Sequence, residues 1–289
     1  MSHWVSVMGE SYRLRPFDRK AKRGGAYTAG METVTLASGR TYLLARPPTG
    51  TPPRSVVVML HGTGGSAAFA ADETRLVPFA AAAGFVVAFG DGLPVNPAEP
   101  VRFLTNPRRW NDGSTTPGDP FHADTDDVAY LAELIADVLA RADGDRSRVY
   151  LTGFSNGAGM AFRFAAERSD QLAAVAPVAG YCPAAVPVPG RPVPTLFILG
   201  DVDPLIPLHG GPVRLPWGNR TVVRPPIRDT VERWAARLGG EFPVVAVPGL
   251  GHHWPGGKGQ FNPRLGGPTS DRLDANREIW AFFRRHRLP

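Results

Sequence analysis

From residue 31 onward the apolar positions follow two periods. Short continuous apolar runs (SVVVMLH, FVVAFGD, RVYLTGF, LAAVAPVAG, PTLFILGD, PVVAVPG) alternate with longer stretches whose apolar residues recur at helical spacing. These stretches predict helices over 67–83, 126–141, 156–168, 228–238 and 271–286, with a hairpin over 31–36 and 41–46 around Ser38-Gly39. Continuous apolar strands separated by helices imply a mainly parallel sheet covered on both faces, an open α/β sheet. The second helix has local support. Asp124, Thr125, Asp126 and Asp127 supply caps and negative charge ahead of Val128, Leu131, Leu134, Ile135, Val138 and Leu139, and Gly144 follows as a stop. Asp126 and Asp127 are read as caps because adjacent helical residues do not face each other.

Length and composition narrow this picture. With 289 residues and 43% hydrophobic content the chain can bury one large core, and one domain is expected over 31–289. The net charge of +6 rests on many arginines, scattered except for Arg13, Arg15, Arg19, Lys20, Lys22 and Arg23. That cluster lacks apolar periodicity and any nucleic-acid motif, so residues 1–30 read as a solvated tail rather than a nucleic-acid contact. Cys182 is the only cysteine, which excludes an intramolecular disulfide, and it reads as a small buried residue rather than a nucleophile. The first thirty residues lack a leader's apolar core, and no run reaches the roughly 20 apolar residues of a membrane helix. The expectation is a soluble cytoplasmic protein without membrane partners, or a secreted one if the true start differs. Oligomeric state is silent.

In an open α/β sheet the informative residues follow the strands' carboxyl ends. Those positions hold His61 to Gly65, Asp91, Ser155, Gly180 to Cys182, Asp201 and Asp203, and His252 with His253. Gly153-Phe154-Ser155-Asn156-Gly157 is a G-x-S-x-G sequence between a strand and a helix, the setting that lifts a serine hydroxyl into the open on a strained turn. Serine needs a base and an acid to orient that base, and hydrolases with this turn supply them in the order serine, acid, histidine. Asp201 or Asp203, then His252 or His253, keep that order.

The turn LHGTGGSAAF at 60–69 admits two readings. Gly62, Gly64 and Ala67 fit a dinucleotide fingerprint with Asp91 as the ribose acid, which would make the chain an NAD-dependent oxidoreductase. The same loop can hold the oxyanion of an acyl-transfer intermediate, with the backbone N–H of Thr63 as one donor and that of Asn156, at the helix start, as the other. His61 then shapes the loop by hydrogen bonding or borders the substrate, while His122 and His209 have no partner pattern. The histidines lack ligand spacing, so neither a metal nor any other cofactor is expected.

With these residues placed, the chain resembles the polyhydroxybutyrate depolymerase and feruloyl esterase branch of the α/β-hydrolases. The resemblance spans about residues 33–285 through HGTGGS (61–66), RWNDG (109–113), DTDDVAYL (124–131), GFSNGAGMAFRFAAERSD (153–170), APVAG (176–180), GDVDPLIP (200–207) and GHHWPG (251–256). It implies the α/β-hydrolase fold and a serine carboxylic-ester hydrolase. It favours Asp203, ahead of Pro204-Leu205-Ile206-Pro207, as the acid, with Asp201 supporting the turn. It favours His252, two residues before Trp254-Pro255-Gly256, as the base, and supports Thr63 in the oxyanion loop. Many members are secreted and disulfide-bonded, unlike this chain, and no polymer-binding module is recognisable. Small or oligomeric esters (feruloyl-type, acetyl or 3-hydroxyalkanoate) are therefore the expected substrates, with polyester depolymerase as the alternative. Trp110, Phe154, Tyr181 and Trp254 lie beside these motifs, either lining an acyl pocket or sitting in the core.

Overall fold

The computed structural model describes residues 30–48, 52–114, 125–183, 187–216, 220–238 and 241–289; the basic cluster at 13–23, His122 and Asp124 lie outside them. Among the described residues eight strands form one sheet: β1 Met31–Thr35, β2 Thr41–Ala45, β3 Arg54–Leu60, β4 Val86–Gly90, β5 Gly144–Phe154, β6 Ala174–Val178, β7 Phe197–Gly200 and β8 Val244–Val247. Their spatial order is β1-β2-β4-β3-β5-β6-β7-β8. β2 runs antiparallel to β1 and β4, and every other neighbouring pair is parallel.

The continuous apolar runs are explained by what covers each face. Successive residues of β3 point to opposite sides, so Val56, Val58 and Leu60 join one core and Val57 and Met59 the other. The first core is completed by α3 (Asp127–Arg141), α4 (Asn156–Glu167) and α5 (Ile227–Leu238), through Leu131, Leu134, Met160, Phe164 and Trp234. The second is completed by α1 (Ala67–Thr74), α2 (Leu76–Ala83) and α7 (Ala275–Phe283), through Ala70, Leu76, Phe282 and Phe283. A one-turn helix, α6 (Pro263–Gly266), lies in the loop before α7.

One element departs from the expected pattern. The helix predicted over 67–83 is two helices broken at Arg75, whose φ of 55° is left-handed. Pro78 is the physical reason: inside one helix it would leave the Thr74 carbonyl without its N–H partner and clash with it. With the break, Pro78 falls in the first turn of α2, where no N–H is needed, and the Thr74 carbonyl accepts from Asn276 Nδ2 at 2.7 Å. The long proline- and glycine-rich segments 91–123 and 183–226 each carry, among the described residues, a short hairpin: Leu93–Pro94 with Arg108–Arg109, and Gly211–Arg214 with Thr221–Arg224.

A buried ion pair ties these layers together. Asp127, with no exposed side-chain surface, accepts from Arg40 Nη1 at 2.6 Å and from the Asn111 backbone N–H at 2.7 Å. Burial pushes its carboxyl above the ordinary range, and Arg40 and the Asn111 N–H pull it back. Arg40 also lies 3.6 Å above the Tyr130 ring and donates to the Asp91 carbonyl, linking β2, α3 and the loop after β4. Removing one member of such a pair leaves an uncompensated buried charge. Arg40→Ala should therefore lose about 3–5 kcal/mol of stability in urea unfolding. Arg40→Lys should lose less, keeping the charge but not the planar stack.

Candidate active site

The chain turns sharply between β5 and α4. Ser155 occupies φ 56° and ψ −119°, a conformation costly for a residue with a side chain. The turn closes because its flanks carry no side chains. A Cβ at Gly153 would meet the Gly157 carbonyl oxygen at 2.2 Å, and one at Gly157 would meet the His61 carbonyl oxygen at 2.5 Å. The parallel register supports this approach: Leu60 of β3 pairs with Gly153, and Phe154 pairs with Val178 of β6, whose carbonyl accepts from the Ser155 N–H at 2.9 Å.

Two later strand ends reach the same point. Ser155 Oγ lies 2.9 Å from His252 Nε2, and His252 Nδ1 lies 2.8 Å from Asp203 Oδ2. A carboxylate only accepts, so Nδ1 carries the proton and Nε2 presents its lone pair to the serine hydroxyl. Asp203 is buried, and its other oxygen accepts from the Leu205 and Ile206 N–H groups, both at 2.8 Å. The alternatives stand elsewhere. Asp201 is exposed and accepts from the Gly249 N–H across the neighbouring turn, and His253 turns its Nε2 to the Gly267 carbonyl. His209 is exposed in a loop, and Cys182 is buried.

The loop at 61–65 lies directly over the serine. A Cβ at Gly62 would sit 3.1 Å from Ser155 Cβ, Thr63 lines the same cavity as Ser155, and α4 starts at Asn156, the residue after the serine. Among the described residues neither the Thr63 nor the Asn156 N–H has a protein acceptor. His61 shapes this loop from inside the protein: Nδ1 donates to the Gly62 carbonyl at 2.8 Å and Nε2 accepts from the Gly92 N–H at 3.0 Å. Asp91 accepts from the Ala67 N–H at 2.8 Å, so this acid caps α1 instead of reaching toward a ribose. The Phe103 ring lies on Gly64, where a dinucleotide's pyrophosphate would have to pass. Asn156 fixes the facing wall, its Oδ1 accepting from the Trp110 N–H and its Nδ2 donating to the Trp110 carbonyl and to Asp112.

Ser155 and His252 open into a cavity of about 420 Å³. Phe154, Trp254 and His61 border it, whereas Trp110 and Tyr181 take the core side of the two readings left open for them. Trp110 is wholly buried, with its indole N–H on the His61 carbonyl, and Tyr181 packs against the first core under Arg224. Most of the apolar wall comes from residues the sequence did not single out: Phe69, Phe103, Leu104, Leu205, Phe261 and Leu265. The length of the 91–123 loop was the available signal for Phe103 and Leu104. Asn106 folds that loop, accepting from the Asn96 N–H and donating to the carbonyls of Asn96, Glu99 and Pro100. Phe261, 6.1 Å from Phe103, is held by Glu73, whose two oxygens accept from the Gly259 and Gln260 N–H groups.

Strand order, elbow and strand-end residues define an α/β-hydrolase. Comparison with known proteins takes this one step further. The sequence profile described as esterase PHB depolymerase matches residues 40–184. "Putative esterase NocK" of Nocardia uniformis subsp. tsuyamanensis is 31% identical over 90% of this chain and 83% of its own length. The chain belongs to the esterase PHB depolymerase family and is a carboxylic-ester hydrolase by class. Feruloyl esterase B of Piromyces equi is 29% identical over 56% of this chain, but that match covers 28% of the fungal protein. Two solved structures share the fold at low identity. An S-formylglutathione hydrolase from Agrobacterium tumefaciens has a TM-score of 0.56 at 16% identity, over 77% of this chain and 87% of that one. An acetyl xylan esterase from Aspergillus awamori has a TM-score of 0.55 at 13% identity, over 88% and 98%.

His61 gives the site's scaffold a pH signature. Burial lowers its pKa to about 4, outweighing the opposing pull of the Gly62 carbonyl and Asp91. The unfolded chain takes up this proton near pH 6.5 while the folded one resists it. This contribution to stability is therefore complete above pH 6.5 and is lost as the pH falls toward 4, by up to about 1.4 kcal/mol per unit. Urea midpoints should fall between pH 6.5 and 4.5, and a His61→Gln variant should show a shallower decline over that window.

Proposed function

We propose that the chain hydrolyses esters through an acyl-enzyme formed on Ser155. His252 Nε2 takes the hydroxyl proton as Oγ attacks the ester carbonyl carbon, and Asp203 holds the imidazole in the required tautomer and offsets its positive charge. The carbonyl oxygen becomes an oxyanion between the Thr63 and Asn156 N–H groups, fixed donors in a partly dry site. As the tetrahedral intermediate collapses, the C–O bond to the alcohol breaks and His252 returns the proton to the departing oxygen. Water then enters, loses its proton to His252 and attacks the acyl carbon, and as the Oγ–acyl bond breaks His252 returns that proton to Ser155 Oγ, releasing the acid and restoring the free serine. The observation that carries this reading is the unbroken line from Ser155 Oγ through His252 to the Asp203 carboxylate, at the mouth of an apolar cavity.

The cavity also bears on substrate. Phe103, Phe154 and Phe261 suit a flat or branched apolar acyl group, as in hydroxycinnamoyl or 3-hydroxyalkanoyl esters, whereas an acetyl group would leave most of the space empty. Polyester depolymerisation is a second reading, favoured by Phe69 and Leu104, which border the cavity yet are 40% and 56% exposed and could rest on a polymer surface.

Ser155→Ala should lower turnover of p-nitrophenyl butyrate by about 10⁴- to 10⁶-fold with the fold intact by circular dichroism. Asp203→Asn should lower it by about 10⁴-fold through the wrong imidazole tautomer. Undiminished hydrolysis by folded Ser155→Ala protein would reject the acyl-enzyme route.

A further inference from the structure

The apolar cavity occupies one side of Ser155, and the hairpin Gly211–Arg214/Thr221–Arg224 leads away from it. Val222, on the hairpin's inner face, packs against the cluster of Leu205, Val213 and Leu215, as does Phe261, and Leu205 and Phe261 also line the cavity. Val223 points the other way and is 83% exposed. Arg224, two residues past Val222, shares the inner face and stacks on Tyr181, with its guanidinium carbon 5.1 Å from the ring centroid. Tyr181 follows Gly180, which packs against the Ser155 carbonyl: a Cβ there would meet that oxygen at 2.5 Å. The inner face thus runs from the cavity wall to a cation on the strand-end rim that carries the serine.

Among the described residues that cation has no counter-charge bonded to it. Among the described residues Arg224 makes no hydrogen bond or ion pair; its Nε is buried without an acceptor, and so is the Tyr181 hydroxyl. Burial lowers the Arg224 pKa, Tyr181 and Asp112 raise it, and Arg109 lowers it further. Asp112, the carboxylate acting on it, is already engaged by Asn156 Nδ2 and by the Ser114 N–H and hydroxyl. A half-buried guanidinium kept without a partner is costly, and its planar fork, held by the stack, matches a carboxylate.

We propose that Arg224, with Tyr181 beneath it, anchors a carboxylate on the alcohol part of the substrate, so that esters whose leaving group carries a free carboxylate are preferred over the same esters with that group amidated. This rests on the acyl-enzyme reading above. The acyl group fills the apolar cavity, the scissile carbonyl meets Ser155, and the departing hydroxyl takes its proton from His252 while its carboxylate stays on Arg224.

The test compares two substrates with the same scissile bond, the 3-hydroxybutyrate dimer and its terminal carboxamide. The acid should be preferred by about 10- to 100-fold in kcat/KM, mainly through KM, as expected for charge-assisted hydrogen bonds. Added salt should shrink the preference. Arg224→Gln should abolish it and Arg224→Lys should retain part of it. Equal kcat/KM for acid and amide with the wild-type protein overturns the inference without needing any variant to fold. So does an Arg224→Gln protein that loses activity on both in equal proportion. Wild-type turnover of p-nitrophenyl butyrate separates the two levels: activity there without acid preference removes only the anchor, and no activity there removes the acyl-enzyme reading itself.

Discussion

The structure depends on one act of crowding, the passage of three backbone segments within contact of Ser155. β3 ends with the His61 carbonyl against Gly157, β5 ends with Gly153 against the Gly157 carbonyl, and the chain beyond β6 lays Gly180 on the Ser155 carbonyl. A side chain at any of these glycines would push α4 or the Ser155 turn away from the strand ends it packs on. The parallel pairing of β3, β5 and β6 delivers the three strand ends at the same height, and the strained backbone of Ser155 is held by what surrounds it. The Ser155 hydroxyl, the 61–65 loop and the α4 N-terminus therefore converge as a consequence of sheet register.

Polar groups beyond the glycines fix the walls. Asn156 holds Trp110 and Asp112, Trp110 holds the His61 carbonyl, and Asp127 holds Asn111 and Arg40. The motifs RWNDG and DTDDVAYL are thus two halves of one scaffold, joined across the N-terminal ends of α3 and α4. Their aromatic and acidic residues support the site from behind. That explains why a tryptophan beside the catalytic motifs, Trp110, is core and not pocket.

Legibility in the sequence followed the length scale of the cause. Strand runs and helical spacing are local and repeated, so sheet class, most helices and the strand-end residues could be read directly. The split of the first helix was marked by Pro78, whose effect depends on which turn it occupies, and spacing alone does not fix that. The cavity wall was not legible, because Phe69, Phe103, Leu104, Phe261 and Leu265 come from separate segments that meet only in three dimensions. Their loops are folded by single polar residues, Asn106 and Glu73, that carry no periodic signal. The hairpin at 211–224 was hidden for the same reason: a few apolar residues from distant segments hold it in place, and nothing at Arg224 announces a site until Tyr181 is found beneath it.

Chemistry and selectivity are nonetheless not independent here. Leu205 donates its N–H to the Asp203 carboxylate, and its side chain packs under the hairpin with Val213 and Leu215. One residue thus carries both the acid's orientation and the hairpin's anchorage. A hairpin displaced as a body would pull on the turn that orients Asp203, whereas Arg224 lies outside the cluster that holds that turn. Variation in substrate is therefore expected to concentrate at Arg224 and at Phe103 and Leu104 of the 95–107 loop, the latter two lining the cavity without donating to the serine, histidine or aspartate. The sheet fixes where Ser155, His252 and Asp203 meet, and the loops that ride on it form the wall of the cavity beside them.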